Sequence, residues 1–374
     1  MNGEKNSAQW MRSAIQKVAT GPEYSKDLPY DEAYPALRAV FSGEADDVQA
    51  AVLLIALRMK RETADENAAG MQALYDLTDH RMVNVPRLVD VAEPYGGQIK
   101  NLPTGPFLPA VLAACGIPAY THGMETVSPK FGCTPRYILQ AAGIDPDIRL
   151  EEAVQRIENP DIGWAYVDQQ VFCPSLNGLI GLRNRIVKRN LITTIEVLSR
   201  PLQATGSNHL LTGYVHVAYP PVYCQLARQV GYDSAIVVRG VEGGIQPSLR
   251  QPGRYFEYVD QGQEQPVEIK PADAGVEASS RAVPVPDDLP KQTHAEGDRL
   301  AASVDLQAFA KAAAESGLDA LAGKDCLARE CLAFSGAIVL KHLKEANSLA
   351  EGARRIREVL DSGKALKHFQ AVQN

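Results

Sequence analysis

Arg87-Leu88-Val89-Asp90-Val91-Ala92-Glu93-Pro94-Tyr95-Gly96-Gly97-Gln98 is the stretch on which the fold turns. Its opening is a short apolar run, and Pro94, Gly96 and Gly97 end it in a turn. The same rhythm recurs at residues 117–120, 164–167, 210–217 and 235–238, each separated from the next by a helix-sized segment. Short strands alternating with helices predict crossover units and a mostly parallel sheet. Residues 255–259 and 266–270 read as a later pair of strands. The Pro- and acid-rich residues 271–298 read as a loop or a long exposed connection, because they offer little to bury.

Upstream of this stretch the pattern is helical. Asp46 and Asp47 can cap a segment whose residues 51–57 are apolar on every side, which predicts burial from more than one direction. Thr63 and Glu66 form a capping box for the next helix, with Met71, Leu74, Tyr75 and Leu77 at helical spacing. The helix before them should close at Gly43, with Tyr34, Leu37 and Phe41 facing inward and Pro35 in its first turn. Helix returns near the end, where Ser348 and Glu351 make a second capping box and Ser362-Gly363 stops the chain before a short closing helix. The expected class is therefore α/β. A small helical domain at residues 1–80, joined by helices from about 173–204, stands beside a larger α/β domain at 81–172 and 205–374. A mostly parallel central sheet flanked by helices forms the larger part.

With 374 residues, 45% of them hydrophobic and 22% charged, the chain can bury a substantial core and is neither disordered nor fibrous. Its net charge of −7 excludes a wholesale basic nucleic-acid binder, so any such role needs a local patch. A polar start and no apolar run of membrane-spanning length predict a soluble protein with no membrane partner. Six scattered cysteines without a CxxC pair fit a reducing cytoplasm and no structural zinc.

Several runs carry a family resemblance. Ser42-Gly43-Glu44, Gln49-Ala50-Ala51 and Ala56-Leu57-Arg58-Met59-Lys60 with Glu62-Thr63 and Glu66 resemble the helical domain of the anthranilate phosphoribosyltransferases and their relatives, the pyrimidine nucleoside phosphorylases, in glycosyltransferase family 3. Gly213-Tyr214-Val215-His216, Leu349-Ala350-Glu351-Gly352 and Asp361-Ser362-Gly363-Lys364-Ala365-Leu366 resemble the same family. The resemblance implies a cleft between a helical and an α/β domain. There, ribosyl phosphate would pass from phosphoribosyl pyrophosphate to an amine, with magnesium bound. It also implies homodimers through the N-terminal helices, whose apolar faces exceed what one small helical layer covers.

Three motifs of that family stand altered in this chain. In the Gly-rich turn that approaches a pyrophosphate, Gly96 and Gly97 remain, but Gln98 replaces the acidic residue and Glu93 at the mouth would repel phosphate. Paired glycines also make an ordinary strand-to-helix turn. Of the Lys-His-Gly-Asn-Arg stretch and its serines, His122, Gly123, Ser128 and Lys130 survive, while Met124 and Glu125 replace the Asn and Arg. His-Gly can equally be a plain turn with a satisfied imidazole. The resemblance thus implies phosphate contacts at Gly96, Gly97, Gln98, Lys100, His122, Gly123, Ser128 and Lys130. The magnesium-binding Asp-Glu pair is Ile245-Gln246, which offers no anion to a hard divalent cation, so no cofactor or metal is expected. Glu242 is the one remaining carboxylate, read as a turn residue. Arg183 matches the arginine that meets the acceptor's carboxylate. No catalytic residue is assigned, and the altered motifs resemble the divergent YbiB-type branch, which implies nucleic-acid binding without a settled enzymatic role.

Residues 179–200 hold Arg183, Arg185, Lys188, Arg189 and Arg200 against a single acid, Glu196. With Arg185 and Arg189 four apart on one helix, the first four predict a cationic ridge for nucleic acid, which Lys100, Lys130 and Arg136 could extend. A solvated helix face is the plainer reading. Two functions remain open: a transferase relative binding a phosphorylated or polyanionic ligand without standard anthranilate transfer, and a non-enzymatic, sequence-nonspecific nucleic-acid binder.

Overall fold

A computed structural model describes residues 6–291 and 304–373. The end of the connection expected at 271–298 therefore lies outside the described residues.

Four helices open the chain: Ser7–Val18, Tyr30–Phe41, Asp47–Lys60 and Ala64–Leu77. Their ends follow the capping chemistry. Asp46 accepts the N–H groups of Val48 and Gln49, and Thr63 and Glu66 cap each other reciprocally. Glu66 is wholly buried, yet its carboxylate is satisfied by the N–H of Leu28 at 2.9 Å, that of Thr63 at 2.9 Å and the Lys60 ammonium at 2.7 Å. One side chain thus ties three segments of the bundle together. Pro35 lies mid-helix rather than in the first turn, because the helix starts at Tyr30 behind Pro29. Short helices Ile180–Ile186 and Leu191–Ile195 pack on the bundle, against Asp47–Lys60 and, for the second, Ala64–Leu77.

A seven-stranded sheet follows. Its strands are β1 (Arg87–Ala92), β2 (Ala119–Gly123), β3 (Trp164–Asp168), β4 (Ser207–Gly213), β5 (Ser234–Val238), β6 (Gly253–Tyr258) and β7 (Gln265–Ile269). The spatial order is β7-β6-β5-β4-β1-β2-β3. β1 to β5 run parallel, and the last two are antiparallel. Every residue of β2, β3 and β5 is buried, as expected of parallel strands covered on both faces. β4 stops at Gly213, short of the expected 217, and Val215 and Val217 emerge into solvent. The stretch after β7 is not wholly irregular: Val283–Pro284 pairs with Asn101–Leu102.

Helices Leu306–Leu321, Leu327–His342, Leu349–Asp361 and Lys364–Gln370 close the chain against one face. Ser348 caps the third through the Glu351 N–H, but Glu351 returns its carboxylate to Asn347 rather than to Ser348. Among the described residues, no helix is long and apolar enough to cross a membrane.

Candidate functional site

Connectivity reverses at β1. From there the chain builds outward through β2 and β3, then crosses back to add β4 on the other side. In open α/β sheets such a switch point opens a crevice at the carboxyl ends of the strands. A cavity of about 110 Å³ lies there, walled by residues after β1 (Gly96, Gly97), after β4 (Tyr214, His216) and by Arg58 and Arg189 from the helical side. That volume admits several waters or one small anion.

The glycine turn is clamped from below. Gly132 N–H donates to the Gly96 carbonyl at 3.0 Å, and Gln98 and Cys133 exchange two backbone hydrogen bonds at 2.9 Å. Gly97 has φ +67, and a Cβ there would lie 2.4 Å from the Gly132 carbonyl carbon. Gly97 is thus needed for packing as well as for any anion, whereas a Cβ at Gly96 would meet only Lys130 at 3.9 Å.

Beyond the turn, the N–H groups of Ile99, Lys100 and Asn101 converge on one point. They donate to the Glu242 carboxylate at 3.2, 2.6 and 3.1 Å respectively. Lys130 completes the set, with its ammonium 2.6 Å from Glu242 Oε2. Burial pushes the Glu242 carboxyl up, and the Lys130 charge with the backbone donors more than reverses this, leaving it below the usual carboxylate range. Glu242 itself sits at φ 53, the left-handed region, inside the turn after β5. A protein carboxylate therefore fills this nest of N–H groups, in the way a phosphate oxygen would. Glu242 is not the solvated turn residue expected from the sequence.

Magnesium does not fit the residues present. Ile245 is 1% exposed and offers no ligand atom, and buried Gln246 spends its carbonyl oxygen accepting the Thr104 hydroxyl at 3.0 Å. Among the described residues, no cluster of three His, Cys, Asp or Glu side chains could hold a metal. Glu93, expected at the mouth, is instead buried beneath the turn, packed against Gly105 and Gly244. Burial pushes its carboxyl up to about 7, against hydrogen bonds from the Ile245 N–H and from Gln98. Gln98 points at Glu93, 3.5 Å away, and not into the crevice.

His122 ends β2, but its imidazole is wholly buried and does not line the cavity. Nδ1 pairs with the Tyr95 hydroxyl and Nε2 lies 3.1 Å from Asp90, whose other oxygen accepts the hydroxyls of Tyr120 and Tyr232 at 2.6 Å. The core alternative describes this histidine in its burial, although Nε2 and the facing Asp90 oxygen make no hydrogen bond. Gly123 is buried against Tyr166, also away from the cavity. Ser128 does line it: 6% exposed, with a hydroxyl that has no hydrogen-bond partner.

The cationic ridge is not continuous. Val187 adopts a left-handed φ of 59 and ends the helix at Ile186, so Arg185 and Arg189 share no helical face. Arg183 turns inward, 4% exposed, its two nitrogens 2.7 and 2.8 Å from the two oxygens of Glu196. That bidentate pair consumes the fork that would grip an acceptor carboxylate or a nucleic-acid phosphate. Arg185 pairs with Asp47, Arg136 with Asp147 and Asp168, and buried Arg200 donates to the Val230 carbonyl. Lys188 and Arg189 stay exposed and have no acidic partner among the described residues.

Arg58 was not singled out from the sequence. Its guanidinium crosses from the helical bundle to donate to the Tyr219 hydroxyl at 2.9 Å, on the crevice wall. Its place in a helix's last turn gave no hint of a partner 161 residues away. Glu196 is the lone acid in a basic stretch, which is the sequence signal for its buried pair with Arg183.

The comparisons with known proteins agree with this architecture. Residues 12–78 match the family model described as glycosyl transferase family, helical bundle domain. The anthranilate phosphoribosyltransferase of Methanobrevibacter smithii is 26% identical over 362 residues, covering 96% of this chain and 97% of the relative. Among solved structures, the anthranilate phosphoribosyltransferase of Thermus thermophilus superposes with a TM-score of 0.70 at 21% identity, over 97% of this chain and 98% of that one. The Saccharomyces cerevisiae enzyme in complex with PRPP and Mg gives a TM-score of 0.75 at 15% identity, over 98% and 97%. A helical bundle joined to an α/β domain is the fold these proteins share. Over nearly its whole length the chain is similar to anthranilate phosphoribosyltransferases, and its first helices carry the helical bundle domain of the glycosyl transferase family.

Proposed function

We propose that this protein binds a phosphorylated or polyanionic ligand in the crevice between bundle and sheet, and does not perform standard anthranilate transfer. One observation carries the reading: the nest at Ile99, Lys100 and Asn101, with Lys130, is filled by the protein's own Glu242. A pyrophosphate would have to expel a carboxylate held by three N–H groups and an ammonium, with no acidic pair to bring magnesium. Arg58 and Arg189, which have no acidic partner among the described residues, and the partnerless Ser128 hydroxyl are the groups left for an anion. We further propose that the chain is of the divergent YbiB-type branch and works in the cytoplasm, a reading supported by its altered motifs. Residues 1–80 with 173–204 form its helical unit, and 81–172 with 205–374 its α/β unit.

Calorimetric titration with phosphoribosyl pyrophosphate and magnesium tests this. No saturable heat up to millimolar ligand is expected, and Glu242→Gln, which weakens the plug, should create or strengthen binding by about tenfold, the worth of one charge-assisted contact. Magnesium-dependent binding by the unaltered chain, with anthranilate turnover, would sink the proposal.

Lys188 and Arg189, exposed beside the crevice, favour one second reading, sequence-nonspecific binding of nucleic acid. With two cations rather than four, the slope of log affinity against log salt should be roughly −1.4 to −1.8. A mobility shift at low salt that Lys188→Glu with Arg189→Glu leaves unchanged excludes it.

A further inference from the structure

On the far side of Glu242 lies a second, roomier cavity of about 360 Å³. Its wall includes Lys100, Arg239 and Arg281, three exposed cations with no acidic partner among the described residues, although most arginines of this protein are paired. They come from three separate segments: the turn after β1, the end of β5, and the stretch after β7. Such convergence brings repulsion that no free carboxylate among the described residues offsets. The only acid on this wall is Glu242, whose charge is already spent on Lys130 and three backbone donors.

A second observation is independent of the charges. Tyr214 is 2% exposed and lines this cavity, and its hydroxyl has no hydrogen-bond partner. Leaving a buried hydroxyl unpaired costs about 1–3 kcal/mol, which an oxyanion accepting its proton would recover. Ser248 also lines the wall, where its oxygen accepts the N–H of Gln251 at 3.2 Å, leaving the hydroxyl proton to donate.

We infer that this cavity is a phosphomonoester site, in which Arg239, Arg281 and Lys100 surround a phosphate of sugar-phosphate size and the Tyr214 hydroxyl donates to it. The site adjoins the crevice, sharing Tyr214, Val215 and Glu242 as a common wall, but its cations are its own and it does not depend on the function proposed for the crevice. The shared chemistry, a terminal phosphate, could arrive on a free metabolite or on the end of an oligonucleotide.

Titration of the full chain with ribose 5-phosphate, inorganic phosphate and a 5′-phosphorylated oligonucleotide separates these sources. Ribose 5-phosphate should bind saturably below millimolar concentration. Arg239→Ala with Arg281→Ala should weaken it at least about tenfold, since charged hydrogen bonds are the strong ones. Tyr214→Phe should weaken it about fivefold, the worth of one hydrogen bond, with no loss of melting temperature because it deletes an unpartnered group. Arg189→Ala, which removes a cation from the crevice, should leave the binding that depends on Arg239 and Arg281 in place. The inference falls if neither small phosphate binds, if only the oligonucleotide binds, or if Arg189→Ala removes binding while the Arg239 and Arg281 changes do not. The last result would assign the phosphate to the crevice instead.

Discussion

Glu93 follows directly on β1, where an exposed mouth residue was expected, and its carboxyl is instead enclosed by the turns at Gly105 and Gly244. Burial raises it to about 7, from near 4.3 in an unfolded chain. Between those values the folded protein holds a proton that the unfolded chain has released. Stability therefore falls as pH rises through this window and levels off above it, by roughly 3 kcal/mol in all. Glu93→Gln keeps the shape and removes the titration. Urea unfolding should show the variant equal to the parent near pH 4 and more stable near pH 8. Other buried acids, Asp168 and Glu196 among them, are also raised by burial, so the comparison between the two proteins isolates Glu93. Parallel stability curves for the two would mean that Glu93 is not shifted.

The turn after β1 depends on Gly97. A Cβ at Gly97 would intrude to 2.4 Å on Gly132, at a positive φ that alanine resists. Gly97→Ala should cost about 2–3 kcal/mol and should speed amide exchange at residues 99–101, because the nest hangs from this turn. Unchanged exchange there would separate the turn from the nest. The elements legible in the sequence were those whose own residues carry the signal: strands buried on both faces read as apolar runs, and the caps at Asp46, Thr63 and Ser348 are short-range chemistry. What escaped depends on distance or on an unfavoured backbone. Val187 is β-branched, and nothing local predicts that it turns left-handed and cuts the ridge. Glu242 meets a loop 141 to 143 residues earlier in the chain, so a residue read as a surface turn became the centre of the site. His122 and Arg183 matched a family pattern by type, while the neighbours that decide their roles, Asp90, Tyr95 and Glu196, lie outside those motifs.

At the scale of the whole molecule, an apolar stripe with no partner among the described residues lies on the helix Asp47–Lys60. Val48, Val52 and Met59 are 70%, 41% and 77% exposed, and with half-buried Ile55 they fall four, three and four residues apart. That spacing puts all four on one stripe. Single exposed apolar residues are ordinary, but a stripe running the length of a helix marks an interaction surface. The homodimer implied by the family resemblance is the occupant we propose, with the stripe facing its own copy across a two-fold axis. A stable pair needs roughly 800 Å² on each side, more than four side chains supply, so adjoining helices must contribute and the affinity should be moderate. Sedimentation at micromolar concentration should show a species of twice the chain mass that dissociates on dilution. Val48→Lys with Met59→Lys should shift it to monomer at every concentration without changing the far-UV circular dichroism. A parent that is already monomeric at tens of micromolar, or a dimer indifferent to both lysines, would place the contact elsewhere or remove it.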